Sequence, residues 1–236
     1  FRRVLFRSMP LKVQSLAVSF PGLATPVLSI DALEIAAGSR VALTGGSGSG
    51  KSTLLNIIAG LERVGSGHVV WGGQDIARLS EGRRDRWRAE NVGLVMQDFH
   101  LFAGLSALDN VLLPARLSRV STPNLVKRAH ELIETVGLKR PGQSVETMSR
   151  GEMQRVAIAR ALLREPGIII ADEPTASLDL ENGEAVGDLL LSVAAGAGST
   201  LVVATHDQRM IERLDRRIVL RSGCIVGDDV VGKVPV

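Results

Sequence analysis

The most informative stretch of this chain is residues 45–52, Gly45-Gly46-Ser47-Gly48-Ser49-Gly50-Lys51-Ser52. They match the pattern G-x-x-x-x-G-K-[ST] and lie between a short apolar run at 40–44 and helical apolar spacing over 51–59. Glycines let successive backbone N–H groups turn inward around a phosphate, and a helix N-terminus adds the positive end of its dipole. The stretch therefore predicts a strand, a phosphate-binding loop and a helix, rather than a flexible Gly/Ser linker.

The side chains at the end of this loop suit the phosphates of a nucleotide. Lys51 is expected to reach the β- and γ-phosphates, and it counts among the candidate catalytic residues. Ser52 is expected to place its hydroxyl on Mg²⁺, which prefers oxygen ligands. The predicted nucleotide-binding residues of the loop are Gly45, Ser47, Gly48, Ser49, Gly50, Lys51, Ser52 and Thr53.

A pair of carboxylates at 172–173 follows the apolar run Ile168-Ile169-Ile170-Ala171. Such a run predicts a buried strand, and ligands of open α/β sheets bind at the carboxyl ends of strands. Asp172 is therefore expected to coordinate Mg²⁺ through water, and Glu173 to act on the attacking water as general base. By itself an Asp-Glu pair after a strand more often forms a turn or helix cap, so the phosphate loop upstream is what favours the catalytic interpretation.

The remaining pattern predicts an alternating α/β chain with a helical insertion. Two antiparallel strands are expected at 11–18 and 28–35, before the phosphate loop. Further strands are predicted at 68–71, 92–96, 167–171, 200–204, 217–220 and 224–226. Helices are predicted at 81–90, after Ser106, and at 124–136, 149–163 and 180–194. Three of these helices follow one another with no strand between them, which indicates an inserted α-helical subdomain at about 99–165.

Composition limits the classes of protein that fit. The 236 residues are 45% apolar, with a single cysteine, Cys224, so an intrachain disulfide and a multi-cysteine zinc site are excluded. No apolar run approaches the roughly 18–20 residues of a membrane span. Residues 1–8, FRRVLFRS, resemble a translated sequencing adaptor joined ahead of Met9, and their three arginines account for the whole formal charge of +3. Without them the electrostatic case for binding nucleic acid disappears, although a genuine basic extension is the alternative.

Residues 11 to about 228 resemble the ATPase subunits of ABC transporters, because several motifs of that family recur in order. The resemblance implies one ABC ATPase domain over 9–236, with a RecA-like P-loop core and bound ATP and Mg²⁺. It implies that Gln97 touches Mg²⁺ or the attacking water and couples to membrane subunits, and that His206 contacts the γ-phosphate. It also implies that Asp179, in Ser177-Leu178-Asp179, lies between two subunits, and that Phe20 stacks on adenine.

The signature segment departs from the family pattern. The usual L-S-G-G-Q appears as Met148-Ser149-Arg150-Gly151-Glu152. In the family this segment opens a helix whose N-terminus meets the γ-phosphate held by the opposite subunit, so the resemblance implies nucleotide contacts from Ser149 and Gly151 in a head-to-tail homodimer. If Arg150 points outward the composite site works normally, and otherwise the site is weak or silent. The family-like run at 154–161 favours a working site.

Residues 60–62 and 92–117 resemble the group that includes lipoprotein-release (LolD-like), macrolide-export (MacB-like) and cell-division (FtsE-like) ATPases. The resemblance implies an ATP-hydrolysing subunit that powers separate transmembrane permease chains. Such a subunit would be cytoplasmic and peripheral on the inner face of the membrane, with no nucleic acid partner. Three alternatives stay open: an importer ATPase, a non-transport ABC protein that handles DNA or ribosomes, and a regulator that binds ATP but barely hydrolyses it.

Overall fold

The computed structural model describes residues 8–19, 22 and 25–231. Ten strands lie within these residues: β1 (Leu11–Val18), β2 (Leu28–Ile35), β3 (Arg40–Thr44), β4 (Ser66–Trp71), β5 (Gln74–Asp75), β6 (Val92–Val95), β7 (Ile168–Asp172), β8 (Thr200–Ala204), β9 (Arg216–Arg221) and β10 (Cys224–Val230). The α-helices of the same residues are α1 (Lys51–Ile58), α2 (Glu81–Asn91), α3 (Ala107–Leu117), α4 (Pro123–Thr135), α5 (Arg150–Leu162), α6 (Leu180–Ala197) and α7 (Gln208–Ile211).

The larger sheet is mostly parallel and has the strand order β10-β9-β3-β8-β7-β6. Strands β7 and β8 are buried along their whole length, which explains why their sequences are continuous apolar runs rather than alternating ones. In the register of the sheet, Ala204 lies beside Leu43 on one side and Asp172 on the other. The carboxyl ends of β3, β8 and β7 therefore meet at one edge, where the predicted phosphate loop and carboxylates follow them.

The smaller sheet is antiparallel, with the order β2-β1-β4-β5. Its inward residues pack with α1 and the facing side of the larger sheet, in a cluster that includes Leu11, Val13 and Trp71. The Trp71 indole donates a 2.8 Å hydrogen bond to the Ile58 carbonyl at the end of α1. The smaller sheet thus fixes the helix that follows the phosphate loop.

Three consecutive helices, α3, α4 and α5, pack against one another between β6 and β7. Each begins where the sequence supplies a cap: Ser106 accepts from the Asp109 N–H, and Thr122 accepts from the Leu125 N–H. Gly137, with φ 74°, follows α4. Because α5 also packs on β6 and α6, the helices are joined to the core, and a separate subdomain at 99–165 stays a prediction.

The predicted α/β fold with an added antiparallel sheet and a helical insertion is confirmed. Strand β5 and helix α7 were not predicted, because two and four residues are too short to carry a periodic pattern. Helix α6 runs to Ala197, three residues beyond the prediction, and ends at Gly198 in a left-handed conformation. Residues 1–7 and Phe20 lie outside the described residues. Within the described ones, no helix combines the length and apolar character needed to cross a bilayer.

Candidate functional site

A cleft of about 530 Å³ lies at the carboxyl edge of the larger sheet. It brings together stretches that are far apart in sequence, and its lining residues are Val27, Gly45, Gly46, Ser47, Gly48, Ser49, Gly50, Lys51, Ser52, Thr53, Gln97, Asp172, Glu173 and His206. Every loop residue predicted to bind the nucleotide lines this cleft, as do both carboxylates, the glutamine and the histidine. Val27 was not predicted, because an apolar residue before a strand carries no signal of its own.

Two glycines of the loop, Gly45 and Gly50, are required by their backbone conformation and by close neighbouring atoms. Gly45 has φ 151°, and a Cβ there would lie 2.3 Å from the Leu220 carbonyl oxygen and 2.6 Å from Ser49 Oγ. Gly50 has φ 100°, and a Cβ there would lie 2.7 Å from Leu28 Cδ2. At Gly46, by contrast, a Cβ meets nothing within 4 Å. The loop is therefore packed on its outer side and open on the side of the cleft.

Replacing Gly45 with alanine is expected to lower the free energy of unfolding by about 2–4 kcal/mol, since a methyl group against a backbone oxygen adds overpacking to a strained φ. Urea denaturation followed by circular dichroism measures the change. Gly46→Ala is the matched control, because its added methyl enters open space at an ordinary φ, and it should keep the wild-type midpoint. Equal midpoints for the two variants would contradict the packing described for the loop.

Lys51 is the first residue of α1, and its side chain reaches back over the loop. Its Nζ donates hydrogen bonds to the carbonyl oxygens of Gly45 (2.8 Å) and Gly46 (3.2 Å). Helix α1 begins at this lysine, with Gly50 as its N-cap, so the first N–H groups of α1 have no capping side chain and face the cleft. The buried Ser49 Oγ also lacks a hydrogen-bond partner among the described residues. Positive charge and open N–H groups together make an anion-binding surface.

Asp172 and Ser52 face each other across the cleft. Ser52 lies beside the Asp172 carboxylate and stabilises its charged form, and the Asp172 residue is only 8% exposed. Burial raises the pKa of Asp172 above its ordinary value, and the charge of Glu173 raises it further, while Ser52 and Lys51 act in the opposite direction. A hydroxyl and a carboxylate oxygen, with the Gln97 amide nearby in the same cleft, form the kind of oxygen donor set that Mg²⁺ prefers.

Glu173 is held in a strained conformation beside this pair. Its φ is 45°, unusual for a residue with a side chain, and its backbone N–H donates a 2.8 Å bond to the Ala204 carbonyl of β8. The His206 Nδ1 lies 2.9 Å from Glu173 Oε2, but the angles do not meet those of a hydrogen bond, so the buried Oε2 has no donor in the described structure. Glu173 therefore lines the cleft with a carboxylate whose Oε2 is an unsatisfied acceptor.

Ser149, Gly151 and Asp179 are not among the residues that line this cleft. Ser149 begins α5 with a capping box: its Oγ accepts from the Glu152 N–H at 3.2 Å, and Glu152 Oε2 accepts from the Ser149 N–H at 2.9 Å. These bonds from Ser149, backbone first, lower the pKa of Glu152. The acid that departs from the family pattern is thus a helix cap, which the S-x-x-E spacing could have indicated.

Asn182 links two of the predicted interface residues. Its side-chain amide donates to Asp179 Oδ2 at 2.8 Å, and Asp179 caps the start of α6. A Cβ at Gly151 would lie 3.0 Å from Asn182 Oδ1, so glycine allows the signature segment to lie against this cap. Sequence reasoning missed Asn182, because its role depends on the contact between α5 and α6.

Gln154 was also missed. It is fully buried on α5 and donates a 2.9 Å bond to the Pro174 carbonyl, directly after Glu173. A buried amide within an apolar helix face could have signalled such a polar contact.

Arg150 turns toward its own protomer. Its guanidinium lies over the ring of Phe99, 5.7 Å from the ring centroid. The sequence did not decide whether the Arg150 side chain points outward. In the structure this side chain contacts the loop that follows Gln97.

The family described as ABC transporter matches residues 28–176, more than half of the chain. The chain is 38% identical over 216 residues to the lipoprotein-releasing system ATP-binding protein LolD of Shewanella sp. (strain MR-4), covering 90% of this chain and 94% of that protein. It is 41% identical over 194 residues to LolD of Legionella pneumophila (strain Paris), covering 82% and 86%. A similar solved structure is an ATP-binding cassette in a dimeric, post-hydrolysis state bound to ADP and Pi, with a TM-score of 0.86, 33% identity, and 94% and 99% of the two chains covered.

Proposed function

Because the chain is an ATPase of the ABC transporter family, we propose that it is the ATP-hydrolysing subunit of a lipoprotein-release type complex. In such a complex it would power separate transmembrane permease chains. The observation that carries the proposal is the single cleft in which Lys51, Asp172 and Glu173 converge with Gln97 and His206. Through its permease partner the subunit would lie peripherally on the cytoplasmic face of the membrane.

The residues of the cleft fit Mg²⁺ and a nucleoside triphosphate. Ser52, Asp172 and Gln97, which line the cleft together, would hold the metal. When bound, Mg²⁺ supplies charge neutralisation on the phosphate oxygens. Lys51, which now donates to two loop carbonyls, would donate instead to the β- and γ-phosphates, and the N–H groups at the start of α1 would complete the cradle.

Glu173 is proposed to accept the proton of the attacking water. Its side chain lines the cleft, no described residue donates a hydrogen bond to its Oε2, and the backbone bond to Ala204 keeps the residue at the end of the sheet. His206 lies next to this oxygen and borders the cleft, where it would contact the γ-phosphate. Phe20 stays a prediction for the adenine contact.

We further propose that two copies pair head-to-tail, so that Ser149, Gly151 and Asp179 of one copy complete the site of the other. The cleft of one protomer lacks these residues, and Ser149 and Arg150, at the N-terminus of α5, are exposed. The similar cassette described above was solved as a dimer, which is consistent with this arrangement.

Size-exclusion chromatography of the Glu173→Gln variant tests the pairing. Because this variant should bind ATP without hydrolysing it, it is expected to elute as a dimer with ATP and as a monomer with ADP or no nucleotide. A monomer in all three conditions, with ATP binding verified separately, would count against the proposal.

A second substitution tests the orientation of the pair. Ser149→Arg in the Glu173→Gln background should abolish the ATP-dependent dimer, although the protomer's own cleft is untouched. Thr122→Arg is the matched control, because it also removes an exposed helix cap, that of α4, and should leave the dimer intact. If both double variants still dimerise, the signature segment does not lie at the interface.

A second, largely apolar cleft of about 490 Å³ supports a permease partner. It lies between the core and the inserted helices, and its walls include Met96 and His100, on either side of the Gln97 loop. Phe102 and Leu117, which also line it, are 56% and 73% exposed. Exposed apolar side chains around a cleft mark an interaction site, and this one lies beside the loop that borders the nucleotide cleft.

A further inference from the structure

The loop after β6 carries Gln97 into the nucleotide cleft and then adopts a strained turn. Phe99 and His100 have φ values of 56° and 47°, in the left-handed region that residues with side chains seldom adopt. The turn is closed by hydrogen bonds from the Phe99 N–H to the Met96 carbonyl (3.1 Å) and from the His100 N–H to the Asp98 carbonyl (2.5 Å). Two consecutive residues in this region persist only where surrounding contacts hold them.

Helix α5 supplies one such contact near its C-terminal end. The Arg160 guanidinium donates to the Phe99 carbonyl at 2.6 Å and to the His100 carbonyl at 2.5 Å. Burial lowers the pKa of Arg160, and the hydrogen bonds to these two carbonyls compensate for the desolvation of its charge. The backbone of the strained turn is thereby fastened to α5.

The same helix supplies a second contact from its first residue. Arg150 lies over the Phe99 ring, whose residue is 7% exposed, at a distance within the range of a cation–π interaction. Arg150 and Arg160 are about 15 Å apart along the helix axis, at 1.5 Å per residue. Helix α5 therefore contacts Phe99 twice. Arg150, at the start of the helix, contacts its ring, and Arg160, near the end of the helix, contacts its carbonyl.

We propose that Arg150 is a positioning residue that acts through Phe99 to set the place of Gln97 in the nucleotide cleft. The proposal rests on the proposed function, and it gives a role to the residue that departs from the family's signature. The helix start that would meet the partner's nucleotide is then tied to the glutamine of its own protomer's cleft. A shift of the signature segment on pairing would move Gln97 with it.

Hydrogen exchange of the chain without nucleotide tests the contact independently of hydrolysis. The variants are Arg150→Ala and Phe99→Leu, which remove the cation and the ring, and Arg150→Lys, which keeps a cation. The first two should exchange the amides of 97–101 about two- to five-fold faster than the wild type, which is the range of a single cation–π contact, and Arg150→Lys should not. Arg83→Ala, an exposed arginine on α2, is the matched control and should leave this loop unchanged.

Steady-state ATP hydrolysis by the same variants tests the positioning role. Arg150→Ala and Phe99→Leu should each lower kcat about two- to five-fold with little change in KM, and the double variant should be no slower than either single variant. Arg150→Lys should rescue most of kcat. Unchanged exchange in Arg150→Ala, multiplying effects in the double variant, or a wild-type kcat in Arg150→Ala would each overturn the proposal. Failure of the proposed function would show separately, as wild-type hydrolysis no faster than that of Glu173→Gln.

Discussion

Replacing Glu173 with glutamine is expected to lower kcat for ATP hydrolysis about 100- to 10,000-fold, the usual contribution of a positioned general base. The amide keeps the shape of the side chain but is a far weaker proton acceptor than the carboxylate. The carboxylate that is replaced includes Oε2, which has no hydrogen-bond donor among the described residues and lies 2.9 Å from His206 Nδ1. Phosphate release at saturating ATP measures the change.

Nucleotide affinity of this variant should stay close to that of the wild type, because the phosphate-binding loop and its lysine are unchanged. Equilibrium binding of a fluorescent ATP analogue checks this. The matched control is Glu134→Gln, an exposed glutamate on α4 whose replacement removes the same charge and should leave kcat unaltered. A Glu173→Gln variant that still hydrolyses ATP within ten-fold of the wild type would show that another group accepts the proton.

The phosphate loop could be predicted from the sequence because its geometry is local. Gly45 and Gly50 need positive φ values and close contacts, Lys51 starts the helix, and a few consecutive residues suffice to specify all of this. Asp172 and Glu173 could be placed because buried parallel strands are continuous apolar runs, and because such strands end at one edge of their sheet. The mostly parallel sheet that joins these two motifs followed from the same runs.

The roles of Arg150 and Glu152 could not be predicted in the same way. Glu152 stands where the usual pattern has glutamine, and the structure pairs it with Ser149 in a capping box. The direction of Arg150 depends on where the loop at 99–100 lies relative to α5, which is a tertiary contact between segments some 50 residues apart. Gln154 and Asn182 were missed for the same reason, since their partners belong to other elements.

Replacing Lys51 with alanine is expected to weaken ATP binding about 100-fold or more, since charge-assisted hydrogen bonds to two phosphates are lost together. In the structure its ammonium bonds to the Gly45 and Gly46 carbonyls, which places it over the open side of the loop. Equilibrium titration with a fluorescent ATP analogue measures the affinity.

Lys127→Ala provides the matched control for this variant. Lys127 lies on α4 with its side chain 80% exposed, 3.9 Å from Glu131, so its removal changes the net charge equally and leaves the cleft intact. Loose surface ion pairs of this kind contribute little to stability. If Lys51→Ala binds ATP as tightly as Lys127→Ala does, the backbone N–H groups of the loop and the start of α1 are sufficient to hold the phosphates. The lysine would then act only during hydrolysis, and kcat alone would fall.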